Sequence, residues 1–233
     1  MFSRLVVAAL FGGGLAGLLG GILQRIFVQP VLLLAERYET GALQHFGAVS
    51  SQGFVLEYGA LDWVRDGLSL SFSIVIYIGY ALILAAAMGA ATQRGHSLSV
   101  KKGLIWGVAG FVTFHLAPGF SLPPEVPGMA SADVTSRQIW WFATVAMTGG
   151  GLWLMAFHQG LKIYGLAAVL LLLPHAVGAP MPDELAGPVP PEIASLFAAR
   201  AFGIGLLIWA WLGALTAHFM AAEELDSSAS PSS

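Results

Sequence analysis

Two histidines stand at matching places in two similar stretches of this chain, and imidazole nitrogen suits divalent transition metals as a ligand. His115 follows Lys102 by 13 residues, and His175 follows Lys162 by the same interval. The sequence contains no cysteine, which excludes thiolate zinc sites and iron–sulfur clusters. Any bound metal must therefore use His, carboxylate, Met or carbonyl ligands, and the two imidazoles are the first candidates.

The composition predicts that these histidines lie in a membrane. Apolar residues make up 57% of the 233 positions and charged residues 10%, whereas about a quarter of a typical globular protein is charged. Six intervals between charges reach the roughly 20 residues that a helix needs to cross hydrocarbon. The sequence thus predicts an all-α polytopic membrane protein with one transmembrane domain over 1–222 and about six transmembrane helices, at about 5–24, 67–93, 103–121, 138–158, 163–179 and 201–220.

The distribution of basic residues predicts the orientation. The loop from Arg94 to Lys102 carries three basic residues and no acidic one, which is typical of a cytoplasmic loop. Both termini are then cytoplasmic, and 25–66 forms an outer loop with a short apolar interfacial or re-entrant segment. The low-complexity end, 223–233, is interpreted as a disordered tail.

The similarity around the histidines predicts an internal repeat. Each histidine is followed by an Ala-Pro pair, a Pro-Pro-Glu triplet and an arginine that opens the returning helix. Both stretches begin on the cytoplasmic side, so the pattern indicates a parallel repeat of helix hairpins. Thirteen residues of helix place each imidazole about 20 Å from the inner surface, beyond the midplane of a ~30 Å core.

Prolines near the histidines predict breaks in their helices. Pro118 lies three residues after His115, and Pro174 immediately precedes His175. A broken backbone at that depth requires protein or a water-filled cavity to satisfy its carbonyls. The sequence therefore predicts a polar cavity that opens outward beside the two imidazoles.

Three carboxylates are candidate accessory ligands. Glu125 and Glu192 close the two Pro-Pro-Glu triplets, and Glu36 follows the apolar run after Pro30. The competing interpretation is structural: the loop carboxylates are solvated, Glu36 pairs with the adjacent Arg37, and each histidine hydrogen-bonds across helices.

Glycines at helical spacing predict close helix packing. Gly13, Gly17 and Gly21 recur every four residues, and Gly103 and Gly107 repeat this spacing. Small residues at such intervals let two membrane helices approach closely.

Several sequence segments carry a family resemblance. They are WGVAGFVTFHLAP at 106–118, LPPEVPG at 122–128, RQIWW at 137–141 and LPHAVGAP at 173–180. Together with AERYE at 35–39 they resemble the CbtA family, the predicted cobalt transporter A subunit. The resemblance implies a multi-pass protein of the bacterial inner membrane, usually described with five spans, linked to cobalt supply for cobalamin. It also implies a partner, a CbtB-like small His-rich subunit with a single span.

Three functions are compatible with these features. The first is transport of Co²⁺ past His115 and His175, with no tightly bound cofactor. The second is a membrane redox protein whose histidines hold a b-type haem, and the third is a non-catalytic assembly subunit of a membrane complex. Nucleotide-binding, metalloprotease and serine-hydrolase motifs are absent from the sequence, so we expect neither an enzyme nor a nucleic-acid partner.

Overall fold

The computed structural model describes residues 2–44, 59–183 and 187–229, and only the backbone of 222–229. Every regular element in these ranges is helical. Two of the elements are π-helical turns, here named π1 and π2. In chain order the elements are α1 (Phe2–Leu23), π1 (Gln24–Val28), α2 (Gln29–Glu39), α3 (Trp63–Gln93), α4 (Val100–Phe111), π2 (Val112–Leu116), α5 (Ala117–Ser121), α6 (Val134–Phe157), α7 (Leu161–Val177) and α8 (Pro191–Ala229).

Joined through the π-helical turns, these elements form six helical stretches, which confirms the prediction of an all-α polytopic membrane protein. Five are long and apolar enough to cross a membrane: Ser3–Glu39, Trp63–Gln93, Val100–Ser121, Val134–Phe157 and Pro191–Ala221. The sixth, α7, has 17 residues. Its length of about 26 Å is at the lower limit for a membrane span.

The first helix is longer than the predicted span at 5–24, because it continues through π1 and α2 to Glu39. Pro30 explains the π-helical turn. A proline has no N–H to donate, and its ring clashes with the carbonyl four residues earlier in a regular helix. That carbonyl belongs to Ile26, inside π1, where the wider turn relieves the clash.

Helices extend into the two segments that the sequence assigned to an outer loop and to a tail. Of the outer loop at 25–66, the part up to Glu39 and the part from Trp63 are helical, and 45–58 lie outside the described residues. Helix α8 continues to Ala229, into the predicted disordered tail, of which 230–233 lie outside the described residues.

One compact unit contains Met1–Arg25, Ala60–Phe111 and Gly203–Ser233. Within it, α1 packs on α3 through glycine. A methyl group at Gly13 would lie 2.5 Å from the Cα of Ile78, and one at Gly17 would lie 2.5 Å from the Cα of Ile74. The Ser73 hydroxyl donates a hydrogen bond to the Gly17 carbonyl (3.0 Å). The predicted close packing of this glycine series is confirmed.

The second glycine pair holds α4 against α8 in the same unit. A methyl group at Gly103 would lie 2.6 Å from the Cβ of Ala217, and one at Gly107 would overlap the carbonyl of Trp209. These partners run in opposite order along the two helices, so α4 and α8 are antiparallel.

Helix α8 also contacts α1 in this unit. Gly12 lies against Thr216 and Gly20 against Ile208. This order shows that α1 and α8 are antiparallel. The beginning of α1 and the end of α8 therefore lie at the same end of the unit.

The other compact unit consists of the described residues within Ile26–Gly59 and Val112–Phe202. An apolar cluster joins α2, the two Pro-rich loops and the start of α8. Its buried members are Val31, Leu34, Ala35, Val126, Val189 and Ile193. Val126 and Ile193 directly follow the two Pro-Pro-Glu triplets, so equivalent positions of the two stretches are buried together against α2.

Helix α6 contacts both histidine-bearing elements of this unit. On one side, a methyl group at Gly149 would lie 3.3 Å from Cγ2 of Thr113 in π2. On the other, one at Gly151 would lie 3.2 Å from the Ala167 carbonyl in α7. Helix α6 therefore positions π2 and α7, the segments that contain His115 and His175.

Candidate functional site

His115 lies in π2, where the helix departs from regular α-helical geometry. Pro118 is the cause, because its ring would clash with the carbonyl of Phe114 in a regular helix. The imidazole is half-buried. The sequence predicted a break in the helix near this histidine; the structure instead has a π-helical turn through which the helix continues, a feature that often occurs at functional sites.

His175 lies in the last turn of α7, two residues before the helix ends at Val177. Its Nδ1 is 2.8 Å from the hydroxyl of Ser121. The ring is in edge contact with Phe120, at a centroid distance of 5.5 Å, and with Trp140, at 6.1 Å. The predicted helix end beside this histidine is confirmed, and three side chains orient the imidazole.

Trp140 also fixes the backbone that carries His175. Its indole N–H donates a buried hydrogen bond to the Pro174 carbonyl (3.2 Å). The same carbonyl accepts the N–H of Gly178, which ends the helix (3.0 Å). The end of α7 is thus held by α6 as well as by its own backbone.

The contact with Ser121 decides which nitrogen of His175 can bind a ligand. Because Nδ1 faces the hydroxyl, Nε2 remains for a metal ion. A hydrogen bond at the second ring nitrogen is the usual way in which proteins orient a metal-binding histidine. Ser121 is therefore a candidate positioning residue for His175.

The same contact brings His175 to the helix that carries His115. Ser121 ends the stretch Val100–Ser121 and follows His115 by six residues. Six helical residues correspond to roughly 9 Å along the axis. The structure thus places one imidazole within the distorted turn and the other at the end of the same helical stretch.

The first accessory candidate, Glu125, is engaged in the loop. Its carboxylate lies 2.7 Å from Nη2 of Arg137 and accepts the hydroxyl hydrogen of Ser131 at 2.7 Å. Arg137 lies in the first turn of α6 and is the arginine of the first stretch of the predicted repeat. The pair therefore ties the Pro-Pro-Glu loop to the start of that helix.

A second carboxylate fixes the same helix start. Asp133 caps α6 by accepting the backbone N–H of Ser136 at 2.9 Å and its hydroxyl at 3.1 Å. These hydrogen bonds favour the ionised form and lower the pKa of Asp133.

The other two accessory candidates lie apart from any cluster of ligands. Glu192 is exposed in the first turn of α8, and Glu36 is half-buried in α2. Within 2–44, 59–183 and 187–229, no three His, Asp or Glu side chains are grouped as they would be around a metal ion. The described part of the chain therefore supplies single imidazoles rather than a complete coordination shell.

The sequence did not point to Ser121, Trp140 or the salt bridge between Glu125 and Arg137. The available signals were that Ser121 follows the predicted break closely, and that Trp140 and Arg137 belong to the RQIWW segment, which carries part of the family resemblance. Ser121 and His175 are 54 positions apart in the sequence, so no local sequence pattern predicts their contact.

No curated protein and no solved structure matches the chain. A family model, CbtA, described as a probable cobalt transporter subunit, matches residues 2–221. This range is nearly the whole chain, including both histidines, both Pro-rich loops and every candidate membrane span. The chain is therefore a multi-pass membrane protein that belongs to the CbtA family of probable cobalt transporter subunits.

Proposed function

We propose that this subunit carries Co²⁺ into the cell across the bacterial inner membrane, in support of cobalamin supply, along a path that includes His175 and His115. The observation that carries the proposal is the 2.8 Å contact between His175 and Ser121. It joins the two histidines of the matched stretches to one helical segment. The cytoplasmic position of both termini, from the charge of the loop between Arg94 and Lys102, belongs to the same proposal.

The two imidazoles act as successive binding positions rather than as ligands of one ion. Metal–nitrogen bonds of 2.0–2.1 Å put two ligands of one ion about 3–4 Å apart, whereas His115 and Ser121 are separated by roughly 9 Å of helix. Helical side chains also lean towards the amino end, which takes the His115 ring further from Ser121. Several moderate sites in series allow an ion both to bind and to leave.

The incomplete ligand set supports the need for a partner. Each position offers one imidazole from the described residues, so the remaining ligands come from water or from another subunit. A CbtB-like small subunit with a single span and a His-rich end would supply nitrogen donors of the same kind. The family description as a subunit agrees with this requirement.

The membrane potential would drive the proposed uptake. A divalent cation that crosses an inside-negative potential of about 100 mV gains about 4.6 kcal/mol, twice the value for a single charge. This gain is equivalent to a concentration ratio of over a thousand. The sequence contains no nucleotide-binding motif, and the proposed uptake needs none.

Uptake of radioactive cobalt into vesicles that contain the chain and its partner tests the proposal. We expect His115→Ala and His175→Ala each to reduce the initial rate severely, and the double variant to abolish uptake. His158→Ala is the matched control, because His158 is a histidine at the C-cap of α6 that the proposal does not assign to the path. Full uptake by the double variant at normal protein levels would remove both histidines from the mechanism.

A further inference from the structure

Helix α6 has a buried stripe that faces α7. Its buried residues are Trp140, Thr144, Thr148 and Gly151, which lie on one side of a helix because they are three or four positions apart. Both ends of the stripe contact α7, Trp140 at the Pro174 carbonyl and Gly151 at the Ala167 carbonyl. The two threonines lie between these contacts on the same buried side of α6.

The two threonine hydroxyls of this stripe differ in their hydrogen bonding. The Thr144 hydroxyl donates to the Trp140 carbonyl at 2.8 Å. Thr148 is 0% exposed, and its hydroxyl has no hydrogen-bond partner in the described part of the chain. A buried hydroxyl without a hydrogen-bond partner destabilises the folded protein. A valine at position 148 would have the same shape without this destabilisation.

A second polar group belongs to the same helix interface. Pro174 has no N–H, so the carbonyl of Leu170 lacks its regular donor within α7. Leu170 lies at this interface, where its Cδ1 is 4.0 Å from a methyl group built at Gly150. The Thr148 hydroxyl on one helix and, on the neighbouring helix, a carbonyl without its regular donor are oxygen atoms of the kind that receive the water molecules of a hydrated cation.

We infer that Thr148 forms a further binding position for the hydrated divalent cation, inward of His175. This inference rests on the proposed function. Trp140 marks the level of His175, and Thr148 follows it by eight residues, or about 12 Å along α6. The Thr148 oxygen accepts a hydrogen bond from a water molecule bound to the cation, whose polarised O–H is a strong donor.

Removal of the hydroxyl alone tests this role. Thr148→Val keeps the shape of the side chain, and Thr148→Ser keeps the hydroxyl. Thr216→Val is the matched control, because Thr216 is also 0% exposed and its hydroxyl also lacks a partner among the described residues. Thr216 lies in the other compact unit, against Gly12, and the proposed path does not include it.

Vesicle uptake at low cobalt concentration and thermal unfolding in detergent are measured for each variant. We expect about tenfold slower uptake for Thr148→Val, in line with the loss of a hydrogen bond to a charged group. Thr148→Ser and Thr216→Val should transport within twofold of the original protein. Both valine variants should unfold at a higher temperature, because each removes a buried hydroxyl without a partner.

The outcomes separate this inference from the proposed function. If Thr148→Val transports at the original rate while His175→Ala does not, Thr148 has only a packing role and the inference fails. If His175→Ala and His115→Ala also transport normally, the proposed function itself fails. Should Thr148→Val unfold at a lower temperature, Thr148→Ala provides the same test without the branched side chain, and normal transport by it would overturn the inference.

Discussion

Gly17→Ala should destabilise the packing of α1 on α3. The added methyl group would lie 2.5 Å from the Cα of Ile74 and 2.9 Å from the carbonyl oxygen of Ser73. Ordinary contact begins at 3.4 Å, so α1 and α3 must separate locally by about 1 Å, which falls in the range of overpacked interiors that cost ~1–3 kcal/mol. The hydrogen bond from the Ser73 hydroxyl to the Gly17 carbonyl would lengthen as well.

Gly14→Ala is the matched control for this substitution. Gly14 lies in the same helix, and a methyl group there meets no atom within 4 Å. Alanine is favoured over glycine within a helix by roughly 0.5–1 kcal/mol, so Gly14→Ala should stabilise the protein. Gly17→Ala gains the same helix preference, so its net destabilisation should be about 0–2.5 kcal/mol after the overpacking cost is included.

Equilibrium unfolding in mixed micelles, followed by circular dichroism, measures both effects. The free energies of unfolding of the two alanine variants should differ by about 1–3 kcal/mol, which is the overpacking term alone. If Gly17→Ala proves as stable as Gly14→Ala, the close approach of α1 and α3 through the glycine series is refuted.

Three further predictions concern the second compact unit. Ser121→Ala should weaken Co²⁺ binding about 10- to 100-fold in calorimetric titration, because His175 loses the partner that orients it; unchanged affinity would deny Ser121 a positioning role. Alanine substitutions of Glu125 and Arg137 should be non-additive in unfolding, with a coupling energy of about 0.5–3 kcal/mol, and simple additivity would contradict the ion pair. The lowered pKa of Asp133 means that its cap stabilises α6 above the usual aspartate pKa and loses this effect as the pH falls through the lowered value. Hydrogen exchange at the start of α6 should therefore accelerate at acidic pH beyond the intrinsic rate, and a constant ratio would argue against the cap.

The sequence predicted the helices and the glycine contacts because both depend on local patterns. Long uncharged intervals define membrane helices wherever their partners lie, and a glycine series such as Gly13, Gly17 and Gly21 marks the face on which a neighbour packs. The sequence did not predict that this neighbour is α3, with Ile78 and Ile74 at the contact points. That choice depends on the fold as a whole.

Pro118 predicted a break in its helix, and the structure instead has a π-helical turn that lets the helix continue to Ser121. A second π-helical turn precedes Pro30, and there the helix continues to Glu39. A proline removes one backbone N–H donor, and its ring clashes with the carbonyl four residues earlier. Several backbone geometries can avoid this clash. Which geometry forms depends on contacts such as the hydrogen bond from Arg200 to the Phe27 carbonyl in π1 (2.8 Å).

The residues of the candidate site remain a prediction, and the sequence did not predict the contacts that surround them. The equal spacing from lysine to histidine identified His115 and His175, but the sequence could not show that Ser121 contacts one of them. The role of Glu125 as an accessory ligand remains a proposal. In the structure its carboxylate forms a salt bridge with Arg137, which stabilises the loop. The contact between Glu125 and Arg137 depends on the conformation of the loop, and residue spacing along the chain does not determine that conformation.

X-ray absorption spectroscopy of the purified subunit loaded with Co²⁺ tests the central claim most directly, because it identifies the atoms bound to the ion. The proposed path predicts imidazole scattering in the spectrum, which disappears in the His115→Ala, His175→Ala double variant and persists in His158→Ala. An ion bound by oxygen alone, or imidazole scattering that the double variant retains, would contradict the assignment of these two histidines to the cobalt path.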